Sequence, residues 1–174
     1  HDSGIDRQVK IYEVGPRDGL QGLPIISTEA KVGYIDLLSG TGLEHIEVVS
    51  FVNPDIIPQM ADAEEVVRDI SRKEGVVYSA LVPNMKGYEQ AALAGLGEVA
   101  IVISANAEHN MRNLGKTRDE TMNRIRPVIQ TAKEDGRTVR AYVSTWMREW
   151  MSFPLGTLRA WPQSRYWKGG WRPY

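Results

Sequence analysis

The first 145 residues alternate between short apolar runs and longer segments with helical spacing. Five runs rich in β-branched residues predict strands. They cover residues 9–14, 45–51, 76–82, 98–104 and 138–144. The fourth run is almost continuously apolar, which is typical of a strand buried on both faces.

Between the strands, the spacing of apolar residues predicts helices. Ser27 or Thr28 can cap the first helix, which ends at the glycines of 40–42. Asp62 with Glu65 three residues later predicts a capping box for the second helix. A short helix over 88–94 and a longer helix over 120–134 follow, with Pro127 as the start or a kink of the latter.

Strands that alternate with helices predict a parallel α/β sheet. Two architectures fit this order: a doubly wound open sheet, or part of a (β/α)8 barrel. A full barrel needs about 250 residues, whereas this chain has 174. It therefore holds about four βα units, a fifth strand and a tail.

Composition divides the chain in two. All five tryptophans follow residue 145, and that segment carries five basic side chains against one acidic. We therefore expect residues 1–145 to form the domain and residues 146–174 to be an atypical Trp/Arg-rich tail. The absence of cysteine excludes a thiol nucleophile and Cys-ligated zinc within this chain.

The net charge of −1 gives no electrostatic reason to expect nucleic acid as a partner. No run of 18 apolar residues predicts a membrane span. The first residues show no signal peptide, and we expect a cytoplasmic location.

Polar residues cluster where the predicted strands end, which is where parallel α/β folds bind ligands. Glu13 and Glu47 interrupt apolar strand patterns, so each needs a cation or donor if it is buried. Arg17 is the nearest candidate in sequence for Glu13, and such a pair could be purely structural. Asp18 could supply one oxygen ligand to a divalent cation or simply shape a turn.

Several ordered motifs together resemble one family. Residues 13–21 read Glu-Val-Gly-Pro-Arg-Asp-Gly-Leu-Gln, a sequence that resembles the opening motif of hydroxymethylglutaryl-CoA lyases. The resemblance continues through residues 46–52, 58–62, 83–88, 108–110 and 142–144. These lyases belong to a wider group of metal-dependent TIM-barrel lyases and synthases.

The resemblance implies a partial (β/α)8 barrel that cleaves 3-hydroxy-3-methylglutaryl-CoA into acetyl-CoA and acetoacetate with Mg²⁺ or Mn²⁺. It assigns catalytic roles to Arg17 and Glu47 and metal binding to Asp18. The residues that it implies for substrate binding are Arg17, Gln21, Ser50, Asn84 and Ser144. The implied partner is an acyl-CoA, and homo-oligomer formation stays open.

The departures from the family pattern concern its later half. The family's His-x-His metal ligands and its catalytic cysteine are absent from this sequence, so we expect this chain alone to be impaired as a lyase. The resemblance fades after Ser144, which suggests a chain truncated or frameshifted after about residues 145–160. The alternative to a working lyase is therefore a catalytically incomplete fragment, or an acyl-CoA-binding module without turnover.

Overall fold

The computed structural model describes residues 9–104, 111 and 115–144. These residues form five parallel strands in sequential order. The strands are β1 (Tyr12–Glu13), β2 (His45–Ser50), β3 (Val77–Leu81), β4 (Glu98–Ser104) and β5 (Thr138–Ser144). A doubly wound sheet would reverse its strand order at a switch point. The uninterrupted order therefore confirms the partial barrel.

Within the described ranges, four α-helices connect these strands: α1 (Thr28–Ser39), α2 (Ala63–Asp69), α3 (Met85–Leu93) and α4 (Arg118–Glu134). The side chain of Ser27 caps α1 by accepting from the Ala30 amide, as the sequence predicts. The predicted capping box at Asp62 is wrong, because this side chain makes no cap hydrogen bond with α2. Its oxygens instead accept hydrogen bonds from α1.

Side-chain capping also sets the starts of α3 and α4. The Asn84 side chain accepts from the Gly87 amide, and α3 therefore begins three residues before the predicted position. Thr117 and Glu120 form a reciprocal capping box that starts α4 at Arg118. Pro127 lies inside this helix rather than at its start.

The hydrophobic core lies between the sheet and the helices. Residues of β2, β3 and β4 pack there against apolar side chains of α1 to α4, including Ile35, Val66, Tyr88 and Val128, which are at most 1% exposed. The other face of the sheet carries a buried polar group, Glu47. This division directs the polar side chains toward the concave side of the sheet.

Within the described residues, β1 and β5 are the two edges of the sheet. β1 is only two residues long instead of the predicted six, and the preceding Val9 and Ile11 are 84% and 64% exposed. On β5, Val143 is 56% exposed. The predicted segment 146–174 lies outside the described residues. In the part that is described, no helix has the length and apolar character needed to span a membrane.

Candidate active site

The turn after β1 carries the first group of candidate residues. Residues Gly15–Gly19 form a single π-type turn in which the Asp18 amide donates to the Val14 carbonyl at 2.7 Å. The Glu13 carboxylate accepts from the Gly15 amide at 2.6 Å. A Cβ at Gly15 would lie 2.7 Å from Glu13 Oε1, so a side chain there would displace this carboxylate. The predicted pairing of Glu13 with Arg17 is thus replaced by a backbone contact.

Glu47 lies at the centre of the site and is fully buried on β2. Its Oε1 accepts from Arg17 Nε at 2.5 Å. Its Oε2 accepts from Arg140 Nη2 at 2.6 Å and from the Tyr142 hydroxyl at 2.9 Å. Three donors, two of them cationic, therefore surround this buried carboxylate and offset the cost of its burial.

The contact between β2 and β5 shows that the sheet is curled. Two other strands lie between them. In a flat sheet, three steps of about 4.8 Å would therefore put them about 14 Å apart. Arg140 nevertheless reaches Glu47 directly across the concave face. The site therefore depends on barrel-like curvature.

Arg140 links several polar groups of this face. Its Nε contacts the buried Glu98 at 3.2 Å, and Nη1 donates to the Tyr142 hydroxyl. Its guanidinium lies 4.3 Å from the centre of the Tyr12 ring and 4.8 Å from that of Tyr142. Both distances are short enough for cation–π attraction, which adds to the ion pairs of Arg140.

Burial and neighbouring charges in the network shift the pKa values of two groups, Tyr142 and Arg140. Burial, followed by the negative charge of Glu47, raises the pKa of the Tyr142 hydroxyl above its usual range. Burial alone would lower the pKa of Arg140, but Glu47 and Tyr142 outweigh it and raise that pKa. Tyr142 is therefore a neutral donor and Arg140 a permanent cation at neutral pH.

Arg17 joins the two acidic candidates. Its side chain is 8% exposed, and its Nη1 contacts Asp18 Oδ1 at 2.8 Å. The Asp18 side chain is 55% exposed, so one carboxylate of the group can meet a ligand from solvent. The structure thus brings Arg17, Asp18 and Glu47 into one cluster.

The described residues do not provide a complete metal site. Across the described ranges, no three His, Cys, Asp or Glu side chains are grouped so that they could hold a metal ion. Asp18 offers an exposed carboxylate, but one of its oxygens is already paired with Arg17. This fits one ligand of a hard cation such as Mg²⁺, which favours oxygen, and no further ligand follows from the described residues.

The other residues predicted to bind substrate differ in their burial and in their hydrogen bonding. Gln21 is half-buried, and its Oε1 is enclosed without a hydrogen-bond partner in the described part of the chain. Ser50 is fully buried and donates to the Leu81 carbonyl at 3.3 Å. The oxygen of Asn84 caps α3, while its amide group can still donate. Ser144 ends β5, and its side chain lies outside the described set.

Sequence reasoning missed Arg140, Glu98 and Tyr12 as parts of this network. A signal was present in β5, where polar residues occupy alternate positions 138, 140, 142 and 144. This period places Arg140 and Tyr142 on the same face of the strand. The inward direction of that face follows only from the curvature of the sheet.

Comparisons with known proteins agree with this fold. The family model described as HMGL-like matches residues 8–151. A hydroxymethylglutaryl-CoA lyase of Bacillus subtilis is 45% identical over 140 residues, which cover 80% of this chain and 47% of that protein. The chain spans about half the length of the curated relatives it matches.

Two solved structures are similar over the same region. The crystal structure of the Bacillus subtilis HMG-CoA lyase superposes with a TM-score of 0.78 at 45% identity, over 80% of this chain and 47% of the other. An HMG-CoA lyase of Acinetobacter baumannii in complex with coenzyme A and 3-methylmalate gives a TM-score of 0.73 at 34% identity, over 77% and 44%. The family match and the shared fold establish that this chain belongs to the HMGL-like family.

Proposed function

We propose that this chain contributes the Arg17–Asp18–Glu47 part of a carbon–carbon lyase site that cleaves 3-hydroxy-3-methylglutaryl-CoA. The observation that carries the proposal is the position of Arg17. Its guanidinium follows the first strand and is held between buried Glu47 and exposed Asp18. The similarity to hydroxymethylglutaryl-CoA lyases supports the choice of substrate.

In the proposed reaction, a base removes the proton of the C3 hydroxyl group, and the C2–C3 bond breaks. The electron pair of that bond moves into the thioester unit and gives an enolate. Protonation of the enolate carbon gives acetyl-CoA, and C3 becomes the ketone of acetoacetate. The reaction is redox-neutral, and the proton taken from the hydroxyl balances the proton delivered to carbon.

Arg17 would stabilise the negative charge that develops on the thioester oxygen. A guanidinium has five N–H donors, and the contacts with Glu47 and Asp18 occupy two of them. Glu47 would act by fixing this orientation before substrate arrives, which is the arrangement that favours electrostatic catalysis. Gln21, Ser50, Asn84 and Ser144 are the proposed contacts with the rest of the substrate.

A divalent cation is part of the proposal. The HMGL-like family is metal-dependent, and Asp18 would supply one carboxylate oxygen to Mg²⁺ or Mn²⁺. The cation would polarise the C3 oxygen of the substrate. A cytoplasmic location and homo-oligomer formation stay predictions.

Acetoacetate release tests the proposal directly. We expect the chain to release acetoacetate from the CoA ester in the presence of Mg²⁺ or Mn²⁺, but more slowly than a full-length lyase, because the family's later metal ligands and its cysteine are absent from this sequence. Arg17→Gln should lower the rate by about 10²–10³-fold, as when an oxyanion donor is lost. Arg68→Gln is the matched control, because Arg68 is an exposed arginine paired only locally with Asp69. Equal rates for the Arg17→Gln variant and the unmodified chain would contradict the role of Arg17. Binding without acetoacetate release would favour the acyl-CoA-binding module.

A further inference from the structure

Two loops at the mouth of the half-barrel are tied together by side chains outside the catalytic cluster. The first loop, residues 20–27, follows the turn that carries Arg17 and Asp18. The second, residues 51–62, follows β2 and the buried Glu47. We call Thr28, Lys31, Gln59 and Asp62 the loop clamp.

Four hydrogen bonds make up the loop clamp. Lys31 Nζ donates to Asp62 Oδ1 at 2.5 Å and to the Gln59 carbonyl at 2.6 Å. Thr28 Oγ1 donates to Asp62 Oδ2 at 2.8 Å. Gln59 Nε2 returns to the first loop and donates to the Leu23 carbonyl at 3.0 Å. Thr28 and Lys31 lie in the first turn of α1, directly after the first loop. Three of the bonds therefore join the second loop to the start of α1, and the bond from Gln59 to Leu23 joins the two loops themselves.

The position of Asp62 is unusual for its place in the chain. It precedes α2 directly, where an aspartate normally accepts from the first free amides of the helix. Here both carboxylate oxygens accept from α1 instead, and α2 begins without a side-chain cap. Asp62 thus forms a tertiary contact between the second loop and the start of α1 in place of a local helix cap.

Burial of the cation supports the same interpretation. The Lys31 side chain is only 5% exposed. A buried ion pair is often no more stabilising than apolar residues of similar volume, because both charges lose their hydration. Such a pair does impose a defined geometry on the groups that it joins. A positioning role therefore explains it better than a contribution to overall stability.

We propose that Lys31 and Asp62 are positioning residues that hold the two loops in a fixed arrangement. Their importance for substrate contacts of Gln21 rests on the proposed function. The arrangement of the loops does not, since it can be measured without substrate. Neither residue touches Arg17, Asp18 or Glu47 in the described contacts.

Amide hydrogen exchange on the whole chain tests this inference with two variants. Lys31→Met leaves a carboxylate without its cation and should lower Tm by roughly 5–10 °C. The double variant Lys31→Met/Asp62→Leu removes both charges and should recover most of that loss. In both variants, we expect exchange in residues 20–27 and 51–61 to be about tenfold faster, with β4 unchanged in the double variant.

Arg68→Met, which breaks the exposed pair with Asp69, is the matched control and should leave exchange in both loops unchanged. If exchange in the loops returns to the original rate together with Tm in the double variant, the pair is only a structural ion pair and the proposal is wrong. Unchanged exchange in the Lys31→Met variant would also overturn it. Absence of lyase activity would affect neither result.

Discussion

At the scale of single residues, the site is organised around one buried carboxylate. Glu47 accepts from two guanidinium groups and a phenol, so no single donor accounts for its stability. Arg17 contacts only Glu47 of the two buried carboxylates, whereas Arg140 contacts both Glu47 and Glu98. Arg140 is therefore the shared partner of two buried carboxylates, whereas Arg17 pairs with one of them and with the exposed Asp18.

This difference predicts unequal stability losses. Arg140→Met removes the shared partner of two buried carboxylates and should lower the free energy of unfolding by about 3–5 kcal/mol. Arg17→Gln leaves Glu47 with Arg140 and Tyr142 and should cost only about 1–2 kcal/mol. Urea denaturation of both variants measures the difference. A larger loss for Arg17→Gln would show that Arg17 is mainly the structural counter-ion.

The Tyr142 hydroxyl predicts a pH dependence. Its pKa in the folded protein is raised above the ordinary value of 10.0, first by burial and then by Glu47. The folded state therefore holds this proton more tightly. The stability that the proton contributes is complete below pH 10 and is lost as the pH rises through the folded pKa.

We expect Tyr142→Phe to show a shallower alkaline decline in the free energy of unfolding than the unmodified chain. Part of the decline should remain, because burial and Asp135 also raise the pKa of Tyr88. Denaturant titrations between about pH 9 and 11 measure both slopes, a range that brackets the usual tyrosine pKa. Parallel slopes for the two proteins would be inconsistent with the raised pKa of Tyr142.

At the scale of elements, the period of apolar residues predicts the strands and helices well. Where a predicted helix start differs from the observed one, side-chain hydrogen bonds explain the difference. β4 and β5 have the predicted bounds, and each apolar or alternating run begins shortly after a glycine, Gly97 for β4 and Gly136 for β5. The starts of α3 and α4 depend instead on caps by Asn84 and Thr117. Asp62 has a capping sequence but a tertiary partner, Lys31, which local patterns do not contain.

Two helical glycines, one packed closely in α3 and one exposed in α1, should have opposite effects on stability when replaced by alanine. A Cβ at Gly87 would lie 2.6 Å from the Phe51 carbonyl oxygen. Gly87→Ala should therefore lower the free energy of unfolding by about 2–3 kcal/mol. Gly33 lies on the exposed side of α1 with no atom within 4 Å of a Cβ, so Gly33→Ala should stabilise by about 0.5–1 kcal/mol. Thermal unfolding of both variants checks the two signs.

At the scale of the whole molecule, the sequence motifs predict the fold and the Arg17–Asp18–Glu47 cluster but not its completion by β5. The contact between Arg140 and Glu47 joins residues 93 positions apart. It forms only because the sheet curls, and curvature is a property of all five strands together. A sequence motif therefore predicts which polar residues follow a given strand. It does not predict contacts across the concave face, because these depend on how the whole sheet curls.

The two sheet edges within the described residues predict self-association of this chain. Unpaired edge strands with exposed apolar residues readily pair with other chains, and Val143 on β5 is 56% exposed. Sedimentation should show concentration-dependent association that Val143→Lys weakens. Leu37→Lys is the control, since Leu37 is 76% exposed and lies on a helix, α1, rather than on an edge strand. Equal effects of the two substitutions would exclude the β5 edge as the interface.

Calorimetric titration with 3-hydroxy-3-methylglutaryl-CoA tests the central claim most directly, because it measures binding independently of turnover. We expect a saturable interaction that Arg17→Gln weakens by about 10–100-fold, the equivalent of one to two charge-assisted contacts. The Arg68→Gln control should bind like the unmodified chain. Equal affinity for the Arg17→Gln variant, or no binding by the unmodified chain, would contradict the account.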